Sequence, residues 1–373
     1  MDGVEVRPSH RLFAIKPFNV GDVILEEEPL LSCQFAWNYE YKYTACEYCL
    51  RPLESPETNV RRLTNKHDII VPHPQCVPPQ PIVTCEQCFE CYCSEECRDK
   101  ALEKYHRTLC YNPDDRSHPI AVLVDNWKKM HYPPETTNIM LLVRILAFIH
   151  QHTDPSIAAA IVKKFCHNTV NEDAELAHKL VGDQFTEQIA ILRELTMNVI
   201  NSEQVEGFLT MEGFNSLLAL IGTNGQGIGT SPLAMWTRAV TEMPMSDDEK
   251  EQMDVFIDYI YEQIEAGTFL NTEGSGLFEI QSACNHSCDP NAESTFPYMN
   301  HKIQLKALKP IAPEEEIHIS YLDECMLQRS RHSRIKNLSE NYLFICSCER
   351  CIAERFQQDC TSESSMSEGD ADD

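Results

Sequence analysis

Long apolar runs are missing from this chain. The most hydrophobic stretch, Ile139–Ile149 (IMLLVRILAFI), is interrupted by Arg144. It falls short of the ~20 residues a bilayer span needs, so a buried helix is expected and no membrane partner. The opening residues, MDGVEVRPSH, contain no apolar run of the kind a secretory leader carries. Basic side chains are scarce as well: 31 Lys and Arg stand against 58 Asp and Glu, a formal net charge of −27. Such a balance opposes attraction to phosphate backbones and argues against a direct nucleic-acid partner. It suits a basic, lysine-rich protein segment, and it serves plain solubility equally well. No internal repeat is visible. With no leader and no span, the chain is expected to be cytoplasmic, with the nucleus as a second compartment. In a reducing compartment its 18 cysteines point to metal rather than disulfides.

The 373 residues exceed one ordinary core, so two or three modules are expected. The segment LFAIKPFNVGDVILEEEPLL reads as short strands around a turn at Asn19–Gly21. A cysteine-rich segment follows from Cys46 to Cys110, interrupted by a Pro-rich, loop-like stretch from Val71 to Pro81. Leu176, Leu180, Ile189, Leu192 and Leu195 then recur near helical spacing. A second helix opens on a capping box of Ser246 and Glu249. It carries Met253, Phe256, Ile257, Ile260 and Ile264 on one stripe and closes at Gly267. These stripes are core faces. Strand alternation returns at Ile303, Leu305 and Ala307, and again at Ile317, Ile319 and Tyr321. The closing QQDCTSESSMSEGDADD is acidic, Ser-rich and free of aromatics, and is expected to be disordered.

Cysteine spacing carries the chemistry. Cys46-x-x-Cys49, Cys85-x-x-Cys88, Cys93-x-x-x-Cys97 and His106-x-x-x-Cys110 supply eight ligands, enough for two tetrahedral zinc ions, with Cys91 left over. Metal would then replace a hydrophobic core in this small segment. Scattered buried thiols or a disulfide knot are the competing readings. Near the end, Cys346-x-Cys348-x-x-Cys351 offers three ligands, and a closed site needs a fourth. Cys288, within the stretch CNHSCDPN (Cys284–Asn291), is the natural candidate. It would tie that turn to the C-terminal segment and fix Asn285 and His286 beside it. An amide with donors and an acceptor suits an adenine edge or an amino-acid head group. The plainer reading is an Asx turn before Pro290.

Cys46–Cys110, with Tyr92-Cys93-Ser94 its most specific part, resembles a MYND zinc finger. NHSCDPN, EEEIHISYLD and ENYLFICSCERC resemble a SET domain with its cysteine-rich post-SET segment. A SET domain split by a MYND finger is the mark of the SET-and-MYND family of protein-lysine methyltransferases, and the likeness covers roughly residues 10 to 353. GTNGQGIGTS (Gly222–Ser231), EGSGLFEIQSACNHSC (Glu273–Cys288) and YPPETTNIM (Tyr132–Met140) point to one branch of it, from which no long C-terminal helical repeat is expected after Cys351. The resemblance implies an α+β fold: a β-rich SET domain split by a MYND finger and a helical insert. The expected segments are 1–45 and 214–322 for the SET domain, 46–110 for the finger, 111–213 for the insert, 323–353 for the post-SET segment and 354–373 for the tail. It also implies interleaved zinc pairs: Cys46, Cys49, Cys93 and Cys97 on one ion; Cys85, Cys88, His106 and Cys110 on another. The gap between Cys49 and Cys85 is much longer than the family usually has. The extra loop is expected to protrude and leave the ligands in place.

The same resemblance implies S-adenosylmethionine as methyl donor and three structural zinc ions. Asn285 and His286 would bind the cofactor, with Asn224 in a backbone-rich wall from Gly222 to Gly229. Tyr321 would orient the methyl group and the amine; otherwise it is an aromatic core residue. Tyr342 and Phe344 would wall the lysine channel and the adenine pocket, where aromatic faces suit a cationic amine. Two departures stand out. Where the family opens on G-x-G, this chain reads Ser9-His10-Arg11, and Glu314 stands where the family turns on glycine. The implied activity is methyl transfer to lysine in a basic protein segment, a histone tail or a ribosomal protein, with trimethylation as an end point. The competing reading is an adaptor whose finger binds Pro-rich peptides while a degenerate SET domain scaffolds.

Overall fold

The computed structural model describes residues 3–78, 81–130, 138–265 and 267–356. The expected disordered tail from 357 onward and most of the Tyr132–Met140 stretch lie outside them. In chain order the strands are β1 (Val4–Arg7), β2 (Arg11–Ala14), β3 (Val23–Glu27), β4 (Leu31–Gln34), β5 (Val83–Thr84), β6 (Cys91–Tyr92), β7 (Gln226–Thr230), β8 (Thr272–Leu277), β9 (Asn285–His286), β10 (Ala292–Thr295), β11 (Ile303–Ala307) and β12 (His318–Ile319). They form small sheets rather than one large one. β10, β11 and β3 make one antiparallel sheet, β4, β8 and β7 another, and β1–β2 a hairpin. β9 and β12 pair in parallel, bringing Asn285 beside His318 and His286 beside Ile319.

The alternation read in Ile303–Ala307 matches β11, whose odd-numbered side chains are buried. β3 completes that sheet from the other end of the chain, in register with β11 through Leu25 and Leu305. A core of Leu12, Ala14, Ile24, Ala283, Leu305, Ile311, Ile317 and Ile319 lies beneath these strands. It positions the CNHSCDPN turn from below.

The interrupted apolar run is a helix, Ile139–Gln151, buried at every residue from Leu141 to Ile149. Its arginine is accommodated by specific partners. Arg144 pairs with the Glu47 carboxylate and the Ser32 carbonyl, and its guanidinium lies 4.2 Å from the centre of the Tyr105 ring. Among the described residues no helix is long and apolar enough to cross a membrane.

Two expectations are corrected. Leu176 lies outside any helix and Leu180 in a short 3-10 turn, Lys179–Val181; the α-helix of that segment runs Thr186–Val199 and carries Ile189, Leu192 and Leu195. Upstream, the Asn171 carboxamide accepts from the amides of Glu175 and Leu176, and the His178 ring accepts from the Leu180 amide. Such local bonds satisfy backbone donors without an α-helix. The insertion between Cys49 and Cys85 does not protrude. Its helix, Pro56–Thr64, packs Val60 and Leu63 with Ile69 and Val71 against Leu233, Trp236, Val240, Met253, Ile257 and Ile260. The Trp236 indole donates to the Pro72 carbonyl at 2.7 Å. The chain buries there because those side chains, spaced for a helix face, meet two helices, Pro232–Thr241 and Asp247–Gln263. The second of these opens on the expected capping box of Ser246 and Glu249.

Candidate active site and metal centres

Each metal-binding segment folds by local rules. In both C-x-x-C knuckles the residue after the second cysteine turns left-handed: Leu50 at φ 61° and Phe89 at φ 63°. This closes the chain on itself so that both sulfurs face inward. Ser94 caps the helix that begins at Glu95, accepting from the Cys97 amide at 3.1 Å, and so places Cys97 in the first turn. Farther along, a π-helical turn over Leu102–His106 widens the spiral and carries His106.

Three ligand sets result: Cys46, Cys49, Cys93 and Cys97; Cys85, Cys88, His106 and Cys110; and Cys288, Cys346, Cys348 and Cys351. Within each set the donor atoms lie within 4.8 Å of one another. Zinc–sulfur bonds of ~2.3 Å in a tetrahedron imply a sulfur–sulfur edge of ~3.8 Å. Observed separations are 3.6 Å for Cys49–Cys93, 3.5 Å for Cys93–Cys97, 3.7 Å for Cys85–Cys110 and 3.6 Å for Cys288–Cys351. The donor chemistry and spacing both fit zinc. The interleaved pairing and the role of Cys288 as fourth ligand are the arrangements the geometry brings together. Cys91 belongs to none of the sets.

The CNHSCDPN turn borders a cavity of about 1270 Å³. Its walls bring together Asn224, Asn285, His286, Tyr321, Tyr342 and Phe344, drawn from segments far apart in sequence. Tyr321 is the centre of the group. Its hydroxyl donates to the Cys284 carbonyl at 2.7 Å, and its amide donates to His286 Nδ1 at 3.0 Å. Burial pushes the Tyr321 phenol above its ordinary pKa, so it stays a neutral donor. The Tyr342 ring lies 4.7 Å from the Tyr321 ring, and its hydroxyl donates to the Tyr321 carbonyl at 3.3 Å. Burial pushes the Tyr342 phenol up to about 12. Phe344 meets Tyr321 edge-on at 6.3 Å and His286 at 6.1 Å. Two phenols, two carbonyls and an aromatic wall therefore surround one end of the cavity.

Asn285 is anchored by donating to Glu316 at 2.7 Å. Glu316 also faces Arg11 on the β1–β2 hairpin at 3.4 Å. Asn224 lines the cavity, but its amide nitrogen is spent on the carbonyls of Cys166 and Leu220 at 2.7 and 2.8 Å. Asp289, Glu315, Glu316, Asp323 and Glu349 line the cavity against only Arg11 and Lys309 among the described residues, so its field favours cations.

Sequence reasoning missed several positioning residues. Asn291 closes the motif by accepting from the His318 amide and donating to the Glu316 carbonyl, lacing the start of β10 to β12. Its place in CNHSCDPN was the available signal. Glu27 on β3 accepts from the amides of Ile280 and Gln281, 3.0 Å each, and supports the turn leading to Cys284. Nothing in its EEE run distinguished it. The two departures from glycine also have an answer. Ser9 at φ 71°, His10 at φ 53° and Glu314 at φ 71° all adopt the left-handed backbone that glycine favours. Arg7 holds Glu314 by an ion pair at 2.6 Å.

The SET domain family matches residues 10–322. The chain belongs to the SET-domain family, in its SMYD5 group. The protein-lysine N-trimethyltransferase SMYD5 of Danio rerio is 49% identical over 358 residues, 94% of this chain and 86% of that protein. Its namesake in Homo sapiens is 48% identical over the same shares. The N-lysine methyltransferase SMYD2 of Homo sapiens is 25% identical over 348 residues, 91% of this chain and 57% of that protein. The matched span contains the first two ligand sets and Cys288, and Cys346, Cys348 and Cys351 follow it. The branch read from GTNGQGIGTS and EGSGLFEIQSACNHSC is the group found here.

Proposed function

We propose that this SET-domain protein is a protein-lysine N-methyltransferase that uses S-adenosylmethionine. The observation that carries the proposal is the ring of Tyr321, Tyr342, Phe344 and the Cys284 carbonyl at one end of an acidic cavity. S-adenosylmethionine, when bound, supplies a methyl group on a positively charged sulfur. Asn285, His286 and the wall that includes Asn224 are the residues that would hold it. The Tyr321 hydroxyl donates its hydrogen to the Cys284 carbonyl, so its lone pairs are left to accept from an incoming amine. Tyr342 and Phe344 close the sides and exclude water, and desolvation disfavours the ammonium form. The carboxylates around the rim attract a cationic segment before it enters. Histone tails and ribosomal proteins are basic segments of this kind. The relatives' printed activity, trimethylation, supports an end point beyond one methyl group.

The adaptor reading drew its support from Ser9 and Arg11 in place of glycine. Ser9 and His10 nonetheless take left-handed backbone, and the hairpin they turn lines the cavity. Methyl transfer is therefore the preferred reading. It is tested with tritiated S-adenosylmethionine and a cell extract, followed by identification of the labelled peptides. Transfer that falls by about 100-fold or more in Tyr321→Phe, with S-adenosylhomocysteine still bound, is the expected result. A wild-type, zinc-replete protein that gives no heat with S-adenosylhomocysteine would overturn it.

A further inference from the structure

Arg334 stands out as a cation buried against sulfur. It lies on the helix Arg331–Tyr342 with 1% of its surface exposed. Its Nε donates to Cys288 Sγ at 3.3 Å, and Nη2 faces Cys351 Sγ at 3.7 Å. Nη1 donates to the Arg329 carbonyl at 2.6 Å, and Nη2 pairs with Glu354 at 2.5 Å. The fork is therefore fixed at both ends, and two of its contacts are thiol sulfurs of the third ligand set.

A guanidinium there has an electrostatic reason. Four thiolates around one divalent ion leave two negative charges in excess, and a buried charge is costly unless it is paired. Arg334 supplies one positive charge at hydrogen-bond distance. The planar fork reaches the two sulfurs from separate nitrogens while still holding the Arg329 carbonyl and Glu354; a lysine ammonium is a point charge without that spread.

The same sulfur leads to the cavity. Cys288 Sγ lies 3.3 Å from His286 Nε2. His286 Nδ1 accepts from the Tyr321 amide, so the ring proton sits on Nε2 and points at Cys288. Cys288 thus receives two donors, one from the helix and one from the ring that holds the Tyr321 backbone.

We infer that Arg334 is a positioning residue: by donating to Cys288 and Cys351 it offsets the excess charge of the post-SET zinc site, and through Cys288 and His286 it holds Tyr321 in place on the cavity wall. The zinc half rests on the geometry alone. The link to the cavity rests also on the methyltransferase reading.

The test uses the full chain, loaded with zinc, as Arg334→Met, which keeps the apolar stem, and Arg334→Lys, which keeps the charge but loses the fork. Zinc release to a colorimetric chelator is followed in time, and Cys288→Ser, which lacks the third ion, identifies the phase belonging to that site. Losing a partner outside the ligand set typically costs about 10- to 100-fold in metal affinity, so the third-site phase is expected to quicken by that factor in Arg334→Met. Arg334→Lys should fall between it and wild type, and the two finger phases should not move. Release from Arg334→Met at the wild-type rate overturns the zinc half. If that variant does not fold, Arg334→Lys decides alone, and a wild-type rate overturns it. Calorimetry with S-adenosylhomocysteine, at three zinc ions per chain, is expected to show Arg334→Met binding about tenfold more weakly. Unchanged affinity overturns the link to the cavity. Absence of heat with wild type defeats the methyltransferase reading instead, and the release rates still judge the zinc half.

Discussion

Glu47→Leu should be among the most destabilising single changes in the chain. Glu47 sits between Cys46 and Cys49 and pairs with Arg144, whose side chain is 4% exposed against 17% for Glu47. Removing one partner of a buried ion pair leaves an uncompensated charge and typically costs about 3–5 kcal/mol. Arg144 would keep two backbone acceptors, the carbonyls of Ser32 and residue 47. That retained solvation places the expected loss near the lower limit, about 3 kcal/mol. Arg144→Met alone should cost less, because a carboxylate that is 17% exposed can recruit water and still accept from Gln34. The double variant Glu47→Leu with Arg144→Met should recover most of the loss, since an apolar replacement of a buried pair is commonly neutral. The assay is a double-mutant cycle from thermal and urea unfolding of zinc-saturated protein, with metal content measured in parallel. A Glu47→Leu variant that loses less than about 1 kcal/mol, or a double variant no better than it, would refute the reasoning. Loss of zinc from Glu47→Leu before unfolding would show that the pair acts through the knuckle rather than through the helix.

Other outcomes follow from single contacts. Cys288→Ser should leave two zinc ions of three by elemental analysis and weaken S-adenosylhomocysteine binding; three retained ions would contradict the ligand set. His178 is buried, and burial pushes its pKa down to about 4, so the folded imidazole stays neutral where the unfolded one, near 6.5, takes a proton. Its contribution is therefore complete above pH 6.5 and declines as pH falls toward 4, by about 1.4 kcal/mol per pH unit. His178→Gln should flatten the acid limb of the stability curve by that slope, and an unaltered limb would refute the assignment. Gly222→Ala would place a methyl carbon 2.5 Å from the same ring and 2.6 Å from Leu180, so it should cost about 1–3 kcal/mol by unfolding. A neutral result would mean the His178 loop yields easily. Ser9→Gly removes a left-handed strain of about 1–2 kcal/mol but loosens the unfolded chain, so stability should stay level or rise slightly. A clear drop would show that the Ser9 side chain has a role of its own.

What could be read in the sequence was local or countable. The knuckles Cys46–Cys49 and Cys85–Cys88 are spaced by a rule that needs no tertiary information. Cys288 followed from counting, because three ligands at Cys346, Cys348 and Cys351 demanded a fourth. β11 and the helix opening at Ser246 announced themselves by period and cap. Long-range partners stayed hidden. Arg144 looked like an interruption until Glu47, 97 residues earlier, was seen against it. Glu316 read as one acid in a row until Asn285 and Arg11 converged on it. The Leu176–Leu180 spacing misled because Asn171 and His178 offered the backbone other partners, a competition that apolar periodicity does not register.

The docked insertion makes the finger an inseparable part of its host. Cutting it out, or replacing it with a short loop, would strip the cover from Trp236 and Ile257 and leave greasy surface open to water and to other copies. Fragments ending at the last knuckle are poor reagents for the same reason. Whatever touches the finger touches a body continuous with the helices beside β7 and β8, and a partner bound there would press on the enzyme rather than dangle from a tether.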